Sequence, residues 1–242
     1  ILSDLDLIFA RASLAREMSA YPPILNRDGY VHLRRARHPL LPPDKVVPID
    51  IELGKTFSTL LITGPNTGGK TVSMKTLGIL ALMSQSGCFL PAESGSEIPI
   101  YQNIYADIGD EQSIEQSLST FSAHTRNIVR IIDRATFGDL VLLDEVGAGT
   151  DPDEGAALAR SIIEHFLMNR IATVATTHYA DLKTYAYTQQ GVENASVEFD
   201  LKTLRPTYRL LIGIPGASNA FSISRQLGLP EEIVARAEEY VS

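Results

Sequence analysis

The chain has 242 residues, of which 44% are hydrophobic and 21% are charged, and its formal net charge is −8. These proportions are typical of a globular protein, and the length suits one large α/β domain or one domain with a small appendage. The acidic balance argues against a broad nucleic-acid surface on this chain. The only cysteine, Cys88, excludes a disulfide framework, and no apolar run is long enough to span a membrane. We therefore expect a cytoplasmic protein.

The first predicted element is a helix. Within the first 18 residues, apolar side chains recur at helical spacing, which predicts an amphipathic helix that Pro22 and Pro23 end. The chain begins without Met and inside this pattern, so we expect it to be a piece of a longer protein. Residues 24–57 alternate strand-like runs with Pro and Gly, which predicts a smaller β-subdomain or an edge sheet leading into the next strand.

A glycine-rich loop lies between a predicted strand at 58–63 and a predicted helix at 70–83. The loop has the complete G-x-x-x-x-G-K-[ST] pattern, made of Gly64, Pro65, Asn66, Thr67, Gly68, Gly69, Lys70 and Thr71. In this context the backbone N–H groups and the helix N-terminus bind a triphosphate. Lys70 would reach the β- and γ-phosphates, and the Thr71 hydroxyl would ligate Mg²⁺. The sequence therefore predicts a nucleotide site.

Residues 85–118 are polar and turn-rich, which is typical of a functional loop. Ser119 and Thr120 then precede an apolar helical pattern, which predicts an N-cap and an amphipathic helix. The positive end of this helix is suited to phosphate, yet within one chain it has no evident route to the loop. In a head-to-tail pair it could meet the γ-phosphate held by the second copy. The residues alone leave that role and an ordinary cap equally open.

Buried strands are predicted at 139–145 and 171–177, separated by a helix that begins near Asp151. With the strand before the loop they form a parallel set, whose carboxyl ends meet at one edge of the sheet. The strand predicted at 139–145 ends in Asp144 and Glu145. Asp144 is suited to hold Mg²⁺ through its water shell, and Glu145 to orient and polarise an attacking water.

His178 follows the strand predicted at 171–177, where it can contact the γ-phosphate or the attacking water. A lone histidine is usually structural, but its place beside the acidic strand end favours function. His32, His124 and His165 have no comparable position and are predicted to be surface or packing residues.

The order of these motifs resembles the MutS family of ATPase domains, which belongs to the ABC class. The matching stretches are 63–71, 119–121, 144–150 and 177–179. The resemblance covers nearly the whole chain and is strongest to the second bacterial type, a MutS paralogue that acts outside mismatch repair. It implies a P-loop NTPase fold with a central, mainly parallel sheet flanked by helices and a smaller antiparallel β-subdomain. Residues 1–20 would end a preceding core helical region, and 21–242 would form the ATPase domain.

The resemblance also implies roles for individual residues. It assigns ATP or ADP and Mg²⁺ to the site, with Thr71 and Asp144 on the metal. The catalytic residues that it implies are Lys70, Asn66, Glu145, His178 and, acting on a second copy, Ser119. At the adenine pocket, Val46, Val47 and Leu210 stand where mismatch-repair members have an aromatic residue and a histidine. Apolar contact with the base is therefore expected there instead of stacking.

Full-length relatives of this type carry a clamp-like core before the ATPase domain and a small MutS-related nuclease domain after it. The resemblance thus implies a homodimer with composite ATP sites, acting on branched or double-stranded DNA or on collided ribosomes through regions outside this chain. Suppression of homologous recombination and ribosome rescue are the roles implied, and a mismatch-repair MutS is the alternative. A transporter subunit is disfavoured because its L-S-G-G-Q signature is absent. A non-catalytic scaffold is disfavoured because Glu145 and His178 are both present.

Overall fold

The computed structural model describes residues 2–65, 68–109, 117–216 and 220–240, with the backbone alone for 117–120. Helices and strands alternate through most of this part of the chain. In chain order they are α1 (Leu2–Glu17), β1 (Ile24–Asn26), β2 (Val31–Ala36), β3 (Ile49–Leu53), β4 (Thr59–Thr63), α2 (Lys70–Gln85), β5 (Glu97–Pro99), β6 (Ile104–Asp107), α3 (Ser117–Ile132), β7 (Leu140–Leu143), α4 (Pro152–Met168), β8 (Ala172–Thr177), α5 (Ala180–Thr188), β9 (Val192–Asp200), β10 (Arg205–Ile212), α6 (Ala220–Gln226) and α7 (Glu231–Glu239).

The larger sheet of the described residues has six strands in the order β10-β9-β4-β8-β7-β6. Neighbouring strands from β9 to β6 run parallel, and β10 lies antiparallel on β9. Strands β4 and β7 are buried at every position, as expected of parallel strands covered on both faces. The strands predicted at 58–63, 139–145 and 171–177 are therefore confirmed, as is their parallel arrangement.

Helices cover both faces of this sheet. Because side chains alternate along a strand, Leu60 and Ile62 point toward α2, whereas Leu61 points toward α4 and α5 on the opposite face. Close approach on the α2 face depends on Gly78, since a Cβ at this position would lie 2.6 Å from Cδ1 of Leu142. On the other face, Asp151 caps α4 by accepting hydrogen bonds from the N–H groups of its first turn.

The smaller sheet shares a hydrophobic cluster with α2 and the larger sheet, and it has the strand order β1-β5-β2-β3. Strand β2 is antiparallel to both β3 and β5, as predicted for the β-subdomain. The pair β1 and β5 is parallel, which the sequence did not predict. Together the sheets form a mixed α/β fold.

The helix predicted within the first 18 residues is confirmed as α1, although Leu5, Ile8 and Phe9 are exposed and, of the α1 residues, only Ala15 is buried. Other predicted details are wrong. The turn-rich segment 85–118 contains β5 and β6. Ser119 lies inside the first turn of α3, which begins at Ser117, and is therefore not the residue before the helix. Within the described residues, no helix combines the length and the apolar character needed to cross a membrane.

Candidate functional site

The carboxyl ends of four parallel strands meet at one edge of the larger sheet. Thr63, the last residue of β4, is paired with Thr177 of β8, and Asp107 of β6 is paired with Leu143 of β7. Parallel strands place their functional residues at this edge because the connecting loops all leave from it. The glycine loop and the acidic pair, far apart in sequence, therefore share one crevice.

The glycine loop needs residues without side chains. Gly64 and Gly69 have φ angles of +128° and +97°, which other residues rarely adopt. A Cβ on Gly68 would lie 2.4 Å from Cγ2 of Val197. No described side chain caps α2 at Gly69, so the first N–H groups of α2 can bind an anion. Asn66 and Thr67, which were predicted to take part in binding, lie outside the described residues.

Lys70 is the first residue of α2 and is only 2% exposed. Its ammonium group donates a 2.8 Å hydrogen bond to the carbonyl oxygen of Gly64, at the other end of the loop. A buried cation is costly without compensating oxygen atoms, and the Gly64 carbonyl supplies one such oxygen. This position is suited to binding phosphate oxygens.

Asp144 is the point at which three structural elements meet. Its Oδ1 accepts a hydrogen bond of 3.0 Å from the Thr71 hydroxyl of α2 and one of 2.5 Å from the Thr176 hydroxyl of β8. Asp144 is 7% exposed, so its carboxylate is held by these donors away from bulk water. The structure thus joins the predicted metal-binding residues Thr71 and Asp144.

This pair of oxygen ligands fits Mg²⁺. Magnesium in nucleotide sites uses one or two protein oxygens and completes its shell with phosphates and water. A hydroxyl and a carboxylate at hydrogen-bond distance, beside the glycine loop, provide two such oxygens. Among the described residues, no group of three or more His, Cys, Asp and Glu side chains could hold a metal by itself.

Glu145 is held in an uncommon backbone conformation, with a φ of +47°. Non-glycine residues with such angles carry strain and are often found at functional sites. The Glu145 N–H donates a 2.8 Å hydrogen bond to the Thr176 hydroxyl, and the Asp144 N–H donates one of 2.8 Å to the carbonyl oxygen of Asp107. Neighbouring strands therefore fix the acidic pair on both sides.

His178 and Tyr179 follow β8, with their ring centroids 4.5 Å apart. His178 is exposed, whereas the Tyr179 hydroxyl donates a 2.8 Å hydrogen bond to the carbonyl oxygen of Gly147. Burial, and then the negative charges of Glu145 and Asp151, raise the pKa of Tyr179. Its hydroxyl therefore stays protonated and ties the end of β8 to the loop that follows Glu145.

Sequence reasoning missed an aromatic residue at the loop. Tyr208 lies at a register shift between β9 and β10, with a φ of +62°. Its Cδ1 is 3.1 Å from the position that a Cβ on Gly69 would take, so the ring lies against the start of α2. The predicted base-contact residues Val46 and Val47 are half-buried before β3. Leu210 is buried opposite Val197.

His124, predicted to be a surface or packing residue, makes a specific contact that the sequence did not predict. Its Nδ1 lies 2.8 Å from Oδ2 of Asp107, a buried carboxylate at the end of β6. Ser119, on the same helix, has a described backbone only, so its side chain lies outside the description.

The fold and the site define an α/β domain in which a glycine loop and an acidic strand end share one crevice. Residues 60–242 match the family model of MutS domain V. The chain therefore belongs to the MutS family, and the resemblance found from its motifs is confirmed.

Curated relatives identify the branch of the family. The chain is 59% identical, over all of its 242 residues, to Endonuclease MutS2 of Alkaliphilus metalliredigens. It is 59% identical to Putative endonuclease MutS2 of Bacillus subtilis over 98% of its length, and 60% identical to Endonuclease MutS2 of Caldanaerobacter subterraneus over its full length. The chain spans 31%, 30% and 31% of these relatives, respectively.

Proposed function

We propose that this chain binds ATP with Mg²⁺ and hydrolyses it to ADP and phosphate, as a P-loop ATPase of the ABC class. The observation that carries the proposal is the hydrogen bond of 3.0 Å between Thr71, at the end of the glycine loop, and Asp144, at the end of β7. It joins a phosphate-binding element to an acidic pair, which is the combination that phosphoryl transfer to water requires.

The loop would bind the phosphates through its backbone N–H groups and the start of α2. Lys70 would give up its hydrogen bond to the Gly64 carbonyl in favour of β- and γ-phosphate oxygens. Thr71 and Asp144 would hold Mg²⁺, which supplies charge neutralisation of the phosphates when bound. Tyr208 supplies an aromatic ring beside Gly69, at the start of α2.

Glu145 would act on the attacking water. Its carboxylate accepts the proton as the water oxygen forms a bond to the γ-phosphorus and the bond to the bridging oxygen of ADP breaks. His178, which follows the neighbouring strand, would donate a hydrogen bond to the γ-phosphate or orient the same water. The fixed backbone of Glu145 favours this role, because a base must be held in place relative to its water.

A second copy of the chain would complete the site. Helix α3 follows β6, and β6 is separated from β4 by β8 and β7. Three strand spacings of about 4.8 Å place β6 roughly 14 Å from the strand that carries the loop. Ser119, in the first turn of α3, therefore serves the loop of a second copy in a head-to-tail homodimer.

The relatives are named Endonuclease MutS2 and Putative endonuclease MutS2, which supports a MutS2-type role for the whole protein. We propose that this domain is the ATP-driven part of a MutS-type dimer that restrains homologous recombination or separates collided ribosomes. Branched or double-stranded DNA and the ribosome would be contacted by regions outside this chain.

The direct test is phosphate release from ATP by the protein at fixed ATP with a series of Mg²⁺ concentrations. We expect phosphate release to saturate with Mg²⁺ and to fall to the background rate when EDTA removes the metal. Thr71 and Asp144 alone do not neutralise the charge of the phosphates, so the metal has to supply that neutralisation. Tight ATP binding with no phosphate release above background would favour a nucleotide-gated scaffold and contradict the proposal.

Thr176 is expected to position the acidic pair. Thr176→Val keeps the shape but removes the hydroxyl shared by the Asp144 carboxylate and the Glu145 N–H. We expect turnover to fall about 10- to 100-fold, as for other residues that orient a metal ligand. Thr176→Ser should restore most of it.

The matched control for this change is Thr173→Val. Thr173 is equally buried on β8, but its hydroxyl donates to the carbonyl oxygen of Ile171, away from the site. Turnover should be unchanged in this variant. Equal losses in the two valine variants, measured as phosphate release at saturating ATP, would contradict a specific role for Thr176.

A further inference from the structure

Asp107 connects helix α3 to the end of β6. Its Oδ2 lies 2.8 Å from Nδ1 of His124, and its Oδ1 accepts a 2.8 Å hydrogen bond from the side-chain amide of Asn127. The same amide donates to the carbonyl oxygen of Ala106 at 3.1 Å. Asp107 is 4% exposed, so the side chains of α3 provide the hydrogen bonds that its buried carboxylate requires.

The chain after Asp107 is shaped around the imidazole of His124. A Cβ on Gly109 would lie 2.5 Å from Cε1 and 2.6 Å from Nε2 of that ring. Any other residue would displace the histidine or the backbone. The close approach therefore fixes His124 at one place on the β6 end.

Asp107 also contacts the acidic strand end through its backbone. Its carbonyl oxygen accepts a 2.8 Å hydrogen bond from the N–H of Asp144, and it is the register partner of Leu143. Asp107 therefore holds α3 through its side chain. Through its backbone carbonyl it holds the N–H of Asp144, the residue that would bind the metal. Movement of either element relative to the other would break one of these contacts.

We infer that Asp107 is a positioning residue: through His124 and Asn127 it sets where the N-terminal end of α3 is presented to the nucleotide of a second copy. The inference rests on the proposed function of Ser119 in the composite site. Ser119 precedes His124 by five residues, which is about 7.5 Å along a helix, so the held turn directly follows the presented one. The same contacts couple α3 to the acidic pair of its own chain.

The test removes the side chains of α3 that contact Asp107. His124→Ala combined with Asn127→Ala leaves the buried Asp107 carboxylate without these donors, so thermal unfolding first establishes that the variant is folded at the assay temperature. We expect turnover at saturating ATP to fall about 10- to 100-fold, because a misplacement of an ångström has effects of this size. The affinity for a non-hydrolysable ATP analogue should change less than about twofold, because Lys70 and its loop are untouched.

Conservative and matched variants accompany this change. The single variant His124→Asn should retain turnover, since the asparagine amide nitrogen can take the place of the histidine Nδ1 as the donor to Asp107. His165→Ala removes a half-buried helical histidine whose ring packs edge-on against Phe166, and it should leave turnover unchanged. Loss of analogue affinity in parallel with turnover would show a general structural defect and would overturn the inference.

A double-mutant cycle gives the decisive readout. If α3 acts through Ser119, adding Ser119→Ala to the double alanine variant should lower turnover little beyond Ser119→Ala alone. If the losses multiply, Asp107 does not act through Ser119 and the inference is wrong. A Ser119→Ala protein with full turnover would instead contradict the composite site of the proposed function, so the two failures are distinguishable.

Discussion

Replacing Glu145 with glutamine is expected to leave ATP binding intact and to lower the rate of hydrolysis about 10²- to 10⁴-fold, the usual contribution of a general base. Glutamine has nearly the same shape as glutamate, and the backbone hydrogen bond from residue 145 to Thr176 does not involve the side chain. The change therefore removes only the proton acceptor. Asp144, which would hold the metal, keeps its contacts with Thr71 and Thr176.

The measurement pairs equilibrium binding of ATP with single-turnover phosphate release. Glu154→Gln is the matched control, because Glu154 is an exposed glutamate in the first turn of α4 and should be dispensable for hydrolysis. Full hydrolysis by the Glu145→Gln protein would show that another group accepts the proton, and the assignment of the acidic pair would be wrong.

Replacing Lys70 with methionine is expected to weaken ATP binding about 100-fold. The ammonium group is buried at the centre of the loop, and each charge-assisted hydrogen bond that it makes to phosphate contributes about 1.5–3 kcal/mol. Methionine keeps most of the apolar stem, so the packing around α2 is preserved. The protein without nucleotide should be at least as stable as before, because a buried cation is removed.

Lys75→Met on the same helix is the control for charge. Lys75 lies close enough to His38 to help lower the pKa of that histidine, after the larger effect of burial. Its loss changes the net charge by the same amount as Lys70→Met. Thermal unfolding with and without ATP separates the two variants: the Lys75 variant should keep the stabilisation by ATP, and the Lys70 variant should lose it. Equal stabilisation in both would contradict the role of Lys70.

The sequence predicted those parts of the fold whose signals are local. Strands β4 and β7 are uninterrupted apolar runs, and α4 carries its own cap at Asp151. Strand β9 gave no such signal, because buried positions of this central strand are occupied by polar residues, Asn194 and Ser196. Helix α1 was predicted correctly, but the exposure of its apolar residues was not. It has apolar residues at helical spacing, yet Phe9 is 68% exposed.

The same distinction applies to the candidate site: its local motifs were predicted from the sequence, and its contacts between distant elements were not. The loop and the acidic pair are contiguous motifs, so the parallel sheet was enough to predict that Thr71 and Asp144 approach each other. Thr176 was predicted only as part of the strand at 171–177, because its hydrogen bonds to Asp144 and Glu145 join it to a neighbouring strand. The pairing of Asp107 with His124 depends on the path by which α3 returns to β6, and periodicity contains no information about that path.

The packing of helix α2 couples the unfolding of the two sheets. Its buried side chains belong to one hydrophobic cluster that also contains Leu33 of the smaller sheet and Leu60 of the larger one. Unfolding of either sheet would expose the apolar face of α2, so the two sheets are expected to open together, as one unit of hydrogen exchange. A ligand bound at the start of α2 would then slow amide exchange in β2 and β3 as well.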